Sequence, residues 1–62
     1  MAYDSRTLIK ALKKAGWRHI RTAGSHRIFS REGDAALVVV PHPRKDIPKG
    51  TYCSIRTTAG LD

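Results

Sequence analysis

The sequence has little with which to brace a fold covalently. A single cysteine, Cys53, stands among its 62 residues, so an internal disulfide is excluded and packing or a partner must supply stability. One cysteine and three dispersed histidines, His19, His26 and His42, give none of the paired spacings of a zinc site, and no metal is expected. No apolar run approaches the roughly 20 residues that cross a bilayer, and the amino-terminal stretch lacks the apolar core of a signal peptide, so the expectation is a cytoplasmic protein with no membrane partner. A Walker loop and a dinucleotide fingerprint are both missing, and nothing else points to a cofactor. Acidic residues are also scarce. Five Asp and Glu face twelve Lys and Arg, a formal charge of +7, which makes polyanions the expected partners.

What is present suits one small globular domain over residues 1–62, with 40% hydrophobic and 27% charged residues and no repeat, low-complexity segment or linker. Chains of this length bury only about 60% of the surface they expose when unfolded. The basic residues are spread over every predicted element rather than gathered on one amphipathic helix, which favours nucleic acid over a membrane surface.

Asp4 or Ser5 can cap a helix whose apolar positions Leu8, Ile9, Ala11, Leu12 and Ala15 fall on one face, leaving Lys10, Lys13 and Lys14 to solvent. Gly16 is placed to end it, with Trp17 folding back on Leu12 as a core lid. Residues 17–22 read as a strand, Ala23-Gly24 as a tight turn and residues 25–31 as the paired strand. Alternation puts His26 and Ile28 on one face and Arg27 and Phe29 on the other; with Phe29 in the core, His26 lies on the open face or the rim. Residues 35–40 are the strongest strand, with Leu37 to Val40 too apolar to be wet on both sides, and Pro41-His42-Pro43 stops it. Pro48 suits the first turn of a second helix carrying Tyr52, Ile55 and Ala59 inward, with Cys53 a buried or half-buried filler and Gly60 at its end. The expected architecture is therefore α+β, in the order α-β-β-β-α, with two helices on one face of a three-stranded antiparallel sheet. Double-stranded-RNA-binding domains have the same order of elements.

His26 is the best candidate for chemistry, because an unperturbed imidazole titrates near roughly 6.5 and exchanges protons at neutrality. RNA carries its own nucleophile, the 2′-hydroxyl, beside each phosphodiester. A base for that hydroxyl, an acid for the leaving oxygen and cations on the phosphate suffice for cleavage without a metal. Gly24 is the turn residue that lets backbone approach a ligand, and Ser25 can bond a phosphate or the turn itself. His42, between two prolines, is either a second acid-base group or a loop histidine held by its neighbours, and His19 reads as an exposed strand residue. Cysteine catalysis lacks an evident base.

Gly24-Ser25-His26, followed by Phe29, then Val40-Pro41-His42-Pro43 and Ile47-Pro48-Lys49-Gly50-Thr51, resemble the HicA family of bacterial toxins. The ending Lys14-Ala15-Gly16-Trp17 of the first helix and the closing Ala59-Gly60-Leu61 are similar too, so the likeness runs over nearly the whole chain. It implies an mRNA interferase with a fold like a double-stranded-RNA-binding domain, a growth-inhibiting toxin that cleaves mRNA independently of the ribosome. By the resemblance His26 matches the catalytic histidine, and a HicB-family antitoxin neutralises the toxin by covering it. One departure is that residues 52–58 hold a single basic residue, Arg56, where such proteins carry more. The candidate RNA contacts are Ser25, Lys10, Lys13, Lys14, Arg27, Arg44, Lys45 and Lys49. The alternative function is a non-catalytic RNA-binding module that holds structured RNA by shape and phosphate contact, and a third is a structural partner of an acidic protein.

Overall fold

The computed structural model describes residues 3–61. Within them lie α1 (Ser5–Lys14), β1 (Arg18–Ala23), β2 (His26–Ser30), β3 (Val38–Pro41) and α2 (Lys49–Ala59), with the strands in one antiparallel sheet of order β1-β2-β3. The expected α-β-β-β-α order is the one observed.

Asp4 is the cap of α1: its carboxylate accepts the Arg6 N–H at 2.8 Å and its carbonyl the Leu8 N–H. Ser5, the first helical residue, is fully buried, and its N–H donates to the Arg44 carbonyl at 2.8 Å. The free donors of the helix start are thus met partly by the chain that follows β3. At the other end Gly16 takes φ +96°, while the Gly16 N–H reaches the Lys13 carbonyl and the Trp17 N–H the Leu12 carbonyl. These are the two bonds of a Schellman ending, and both Trp17 and Leu12 are buried. The Trp17 indole N–H also donates to the Ala59 carbonyl at 3.1 Å, tying the start of the sheet to the end of α2.

One face of the sheet carries the core. Phe29 and Val38 are paired across β2 and β3, and both, with Val40, pack against Leu8 and Leu12 of α1 and Ile55 and Ala59 of α2. Both helices therefore cover the same face. Ile28 points the other way yet is also buried. As the middle residue of the central strand it is flanked by Arg21 and Val39, which shield it without a second layer.

Several boundaries differ from the sequence reading. The hairpin loop is Gly24-Ser25, closed by the Ala23–His26 pair, because the first of its two loop residues needs a positive φ and Gly24 supplies +59°. A bulge between His19 and Arg21 leaves Ile20 unpaired and half exposed. The third strand begins at Val38, not Ala35, and includes Pro41. The His42 N–H donates to the Ser25 carbonyl, so by alternation the nitrogen of Pro41 faces the free edge of the sheet, where a missing donor costs no ladder bond. Leu37 and Val39 are 49% and 45% exposed, against the expectation that this strand is too apolar to be wet on both sides: β3 is an edge strand and no layer covers its outer face. Cys53 is exposed rather than a filler, since α2 turns Ile55 and Ala59 inward.

Candidate functional site

The hairpin presents His26 as the first residue of β2, exposed, on the face of the sheet opposite the helices. This is the rim position that alternation predicts. Gly24 and Ser25 beside it are exposed as well. A β-carbon at Gly24 would meet nothing within 4 Å, so the glycine is there for its backbone angle and not for want of space.

Alternation sends Arg27 to the helix side, where it joins α1. Arg6, Ile9, Lys10 and Lys13 sit at i, i+3, i+4 and i+7 and form one stripe along the helix. Together with Arg27 and His42 they line an open cavity of about 320 Å³. Four lining side chains are cations and none is a carboxylate. Arg6 is held by Asp4, with Nη2 to Oδ2 at 3.0 Å, whereas Lys10, Lys13 and Arg27 form no ion pair with a described residue.

His42 is the most constrained of the three histidines. Its ring Nδ1 lies 2.8 Å from the Ser5 hydroxyl, which also accepts the Arg44 N–H at 3.0 Å. The Arg44 N–H takes one lone pair of the hydroxyl oxygen and leaves the Ser5 hydrogen free to point at Nδ1; in that arrangement the ring proton of neutral His42 sits on Nε2. Loss of water around the half-buried ring, then the Arg27 guanidinium, holds His42 below the usual histidine range; Arg6 adds to this and Asp4 opposes it. A neutral imidazole in a cationic cavity is the result. His19, by contrast, is exposed, with Nε2 2.9 Å from the Thr22 hydroxyl and its ring against Phe29.

Of the residues expected to touch RNA, the structure gathers Lys10, Lys13 and Arg27 into the cavity. Lys14 is exposed at the last turn of α1; Arg44 and Lys45 are exposed in the loop that borders the start of α1, and Lys49 opens α2. Ser25 and His26 stay on the rim and do not line the cavity. Arg56 is half-buried, stacks 6.0 Å over the Tyr52 ring and donates to the Leu61 carbonyl, an intramolecular role for the one basic residue of the stretch 52–58. Arg6 is not among the residues expected from the sequence, although its spacing of four and seven from Lys10 and Lys13 is a signal that could have found it. The pairing of Ser5 with His42 has no such signal, since 37 residues separate them.

Among the described residues no three His, Cys, Asp or Glu side chains group as metal ligands would, and no helix is long and apolar enough to cross a membrane. The family model described as the HicA toxin of bacterial toxin-antitoxin matches residues 5–61. No curated protein matches the chain significantly.

Proposed function

We propose, because the chain belongs to the HicA family of toxins of bacterial toxin-antitoxin systems, that it is an endoribonuclease that cleaves single-stranded mRNA without the ribosome and so stops translation and growth. The observation that carries this reading is the exposed imidazole of His26 at the rim, one residue before Arg27 and cross-strand from Pro41, which precedes His42. A ribose can reach such a ring unobstructed. His26 takes the 2′-hydroxyl proton, or returns one to the leaving 5′-oxygen, while the cations of the neighbouring surface offset the charge that builds on the phosphate. Because the substrate supplies its own nucleophile, no metal is required by this route.

The test is His26→Ala, with RNA cleavage, circular dichroism and growth inhibition compared with the parent. Cleavage should fall by about a hundredfold or more, the range typical of a positioned acid or base, in a variant that keeps its spectrum. Products should end in a 2′,3′-cyclic phosphate, and cleavage should persist in EDTA. A folded variant that cuts as well as the parent removes His26 from the chemistry; a parent that binds a defined single strand and leaves it intact is a binding module instead.

A toxin of such a system has a neutralising partner. In our reading it is an acidic antitoxin of the HicB family, drawn to the +7 chain by charge and seated over His26. Histidine modification by diethyl pyrocarbonate should then be blocked at His26 in the complex, and equal modification of free and bound toxin would refute occlusion.

A further inference from the structure

The cavity between α1 and the end of the sheet lies apart from His26, which does not line it. We propose that it binds a phosphate group, gripped by Lys10, Lys13 and Arg27, with His42 donating a hydrogen bond from Nε2. Three arguments converge on it.

The lining is the first. Four cations from two elements converge on a space at the lower end of the roughly 300–1,000 Å³ typical of small-ligand sites, with no acid among the lining residues. Lys10 and Lys13 project from one helix stripe and Arg27 from the strand below it, and none of the three has an ion-pair partner among the described residues. Like charges held together in a folded chain repel one another, and an anion relieves that cost.

The second is the set of contacts that hold His42. Its backbone N–H is fixed on the Ser25 carbonyl and its Nδ1 on Ser5, the one buried polar residue among those described. An imidazole whose Nδ1 accepts presents Nε2–H as a donor, the form in which a neutral histidine binds an anion. The third is apolar surface: Ile9, 6% exposed, forms part of the wall, which suits the carbon atoms of a sugar and not a bare ion alone.

Two sources of phosphate fit, a backbone phosphodiester of RNA and a free phosphate or nucleotide. The first makes the cavity a subsite beside the scissile bond, and to that extent the inference rests on the nuclease reading; phosphate affinity itself does not. Occupancy also feeds back on the ring. Asp4 faces His42 from the cap before α1, Arg6, Lys10 and Lys13 from α1 itself and Arg27 from β2, and His26 lies across from the preceding residue. A bound anion offsets the cations, so proton uptake by His42 accompanies binding.

The experiment is a titration of the full chain, labelled at its histidine, arginine and lysine side chains, with inorganic phosphate against chloride at matched ionic strength, followed by nuclear magnetic resonance. Phosphate should shift the His42 ring signals saturably and raise the pH at which they titrate, leaving His19 signals in place. Arg27→Gln should weaken this on the order of tenfold, as for loss of a charge-assisted hydrogen bond. His42→Asn, which keeps an acceptor for Ser5 and lacks Nε2, should weaken binding read from the Arg27 and lysine signals. His26→Ala should leave it unchanged. Single-stranded RNA that competes with phosphate for the cavity assigns the site to the substrate, and an affinity for free nucleotide above that for RNA assigns it to a small molecule. Equal shifts in chloride, or equal loss in all three variants, would overturn the proposal. If His26→Ala still cleaves RNA while phosphate binding persists, the nuclease role of His26 falls and the phosphate site stands.

Discussion

Ser5→Ala isolates one buried oxygen and tests whether it joins the helix start to the loop after β3. The wild-type hydroxyl lies 2.8 Å from His42 Nδ1 and accepts the Arg44 N–H at 3.0 Å. Alanine preserves the helix and the volume but removes both bonds. A made hydrogen bond contributes about 0.5–1.5 kcal/mol net, and a buried donor left without a partner costs about 1–3 kcal/mol. His42 is only half-buried and Arg44 is exposed, so water can reach both partners, and what is lost is the net worth of two made hydrogen bonds. The expected destabilisation is about 1–3 kcal/mol, from a total that per-residue scaling puts at roughly 3–9 kcal/mol. At this size each kcal/mol lowers Tm by about 4–8 °C. Urea melts at neutral pH should show a lower midpoint with unchanged slope, the mark of lost stability and not of an altered unfolded state. Thr7→Ala, an exposed site on the same helix, should stay within about 0.5 kcal/mol of the parent. An unchanged midpoint for Ser5→Ala would mean that the oxygen is replaceable by water, and the argument that it fixes the His42 tautomer would fail with it.

Gly24→Ala should cost about 1–2 kcal/mol by thermal melting, because φ +59° is unfavourable to any β-carbon even where space is free. Trp17→Phe should cost about 1–3 kcal/mol, since the Ala59 carbonyl loses its indole donor and Arg31, 4.6 Å over the ring, loses part of its stacking face. The folded chain holds His42 below its usual range, so below about 6.5 the unfolded chain binds the extra proton. Its contribution is complete above that pH and is lost as pH falls through the depressed folded value; urea melts should follow this course, and His42→Asn should flatten it. Asp4 and Asp34, lowered first by their hydrogen bonds to Arg6 and Arg31, act at more acid pH: their contribution is present above about 3.8 and is lost as pH falls further.

The elements that could be read in advance are those whose cause is local. The Schellman ending at Gly16 and Trp17 needs one glycine and one apolar residue at fixed offsets, and both are visible in the sequence. Phe29 inward and His26 at the rim follow from a period of two once one core residue is chosen. Tertiary arrangement decided the rest. Leu37 and Val39 are wet because β3 is an edge strand under a bare face, a fact about the sheet's neighbours. Ile28 is dry because it is central. The cavity combines both kinds: its helix stripe, residues 6, 9, 10 and 13, is a local pattern, but Arg27 and His42 join it only because β2 and the chain after β3 lie beneath that stripe.

Ser5 also explains why stability and the cavity are hard to separate in a fold this small. Burying a hydroxyl in a core costs free energy unless every bond it can make is made. An alanine would suit the packing there at less risk, yet here the oxygen is fully enclosed and doubly bonded. Its two partners define what the enclosure achieves. Through Arg44 it closes the amino-terminal end of α1, and the same stitch draws the chain after β3 under the stripe of Arg6, Lys10 and Lys13. Through Nδ1 it decides which nitrogen of His42 faces the cations. A domain with few core residues cannot devote separate layers to holding its helices and to orienting a side chain, so one oxygen does both. The consequence is measurable in a double-mutant cycle: if Ser5 acts through His42, the losses in Ser5→Ala and His42→Asn on phosphate binding should fail to add, with a coupling of about 0.5–3 kcal/mol, whereas additive losses would make the two residues independent.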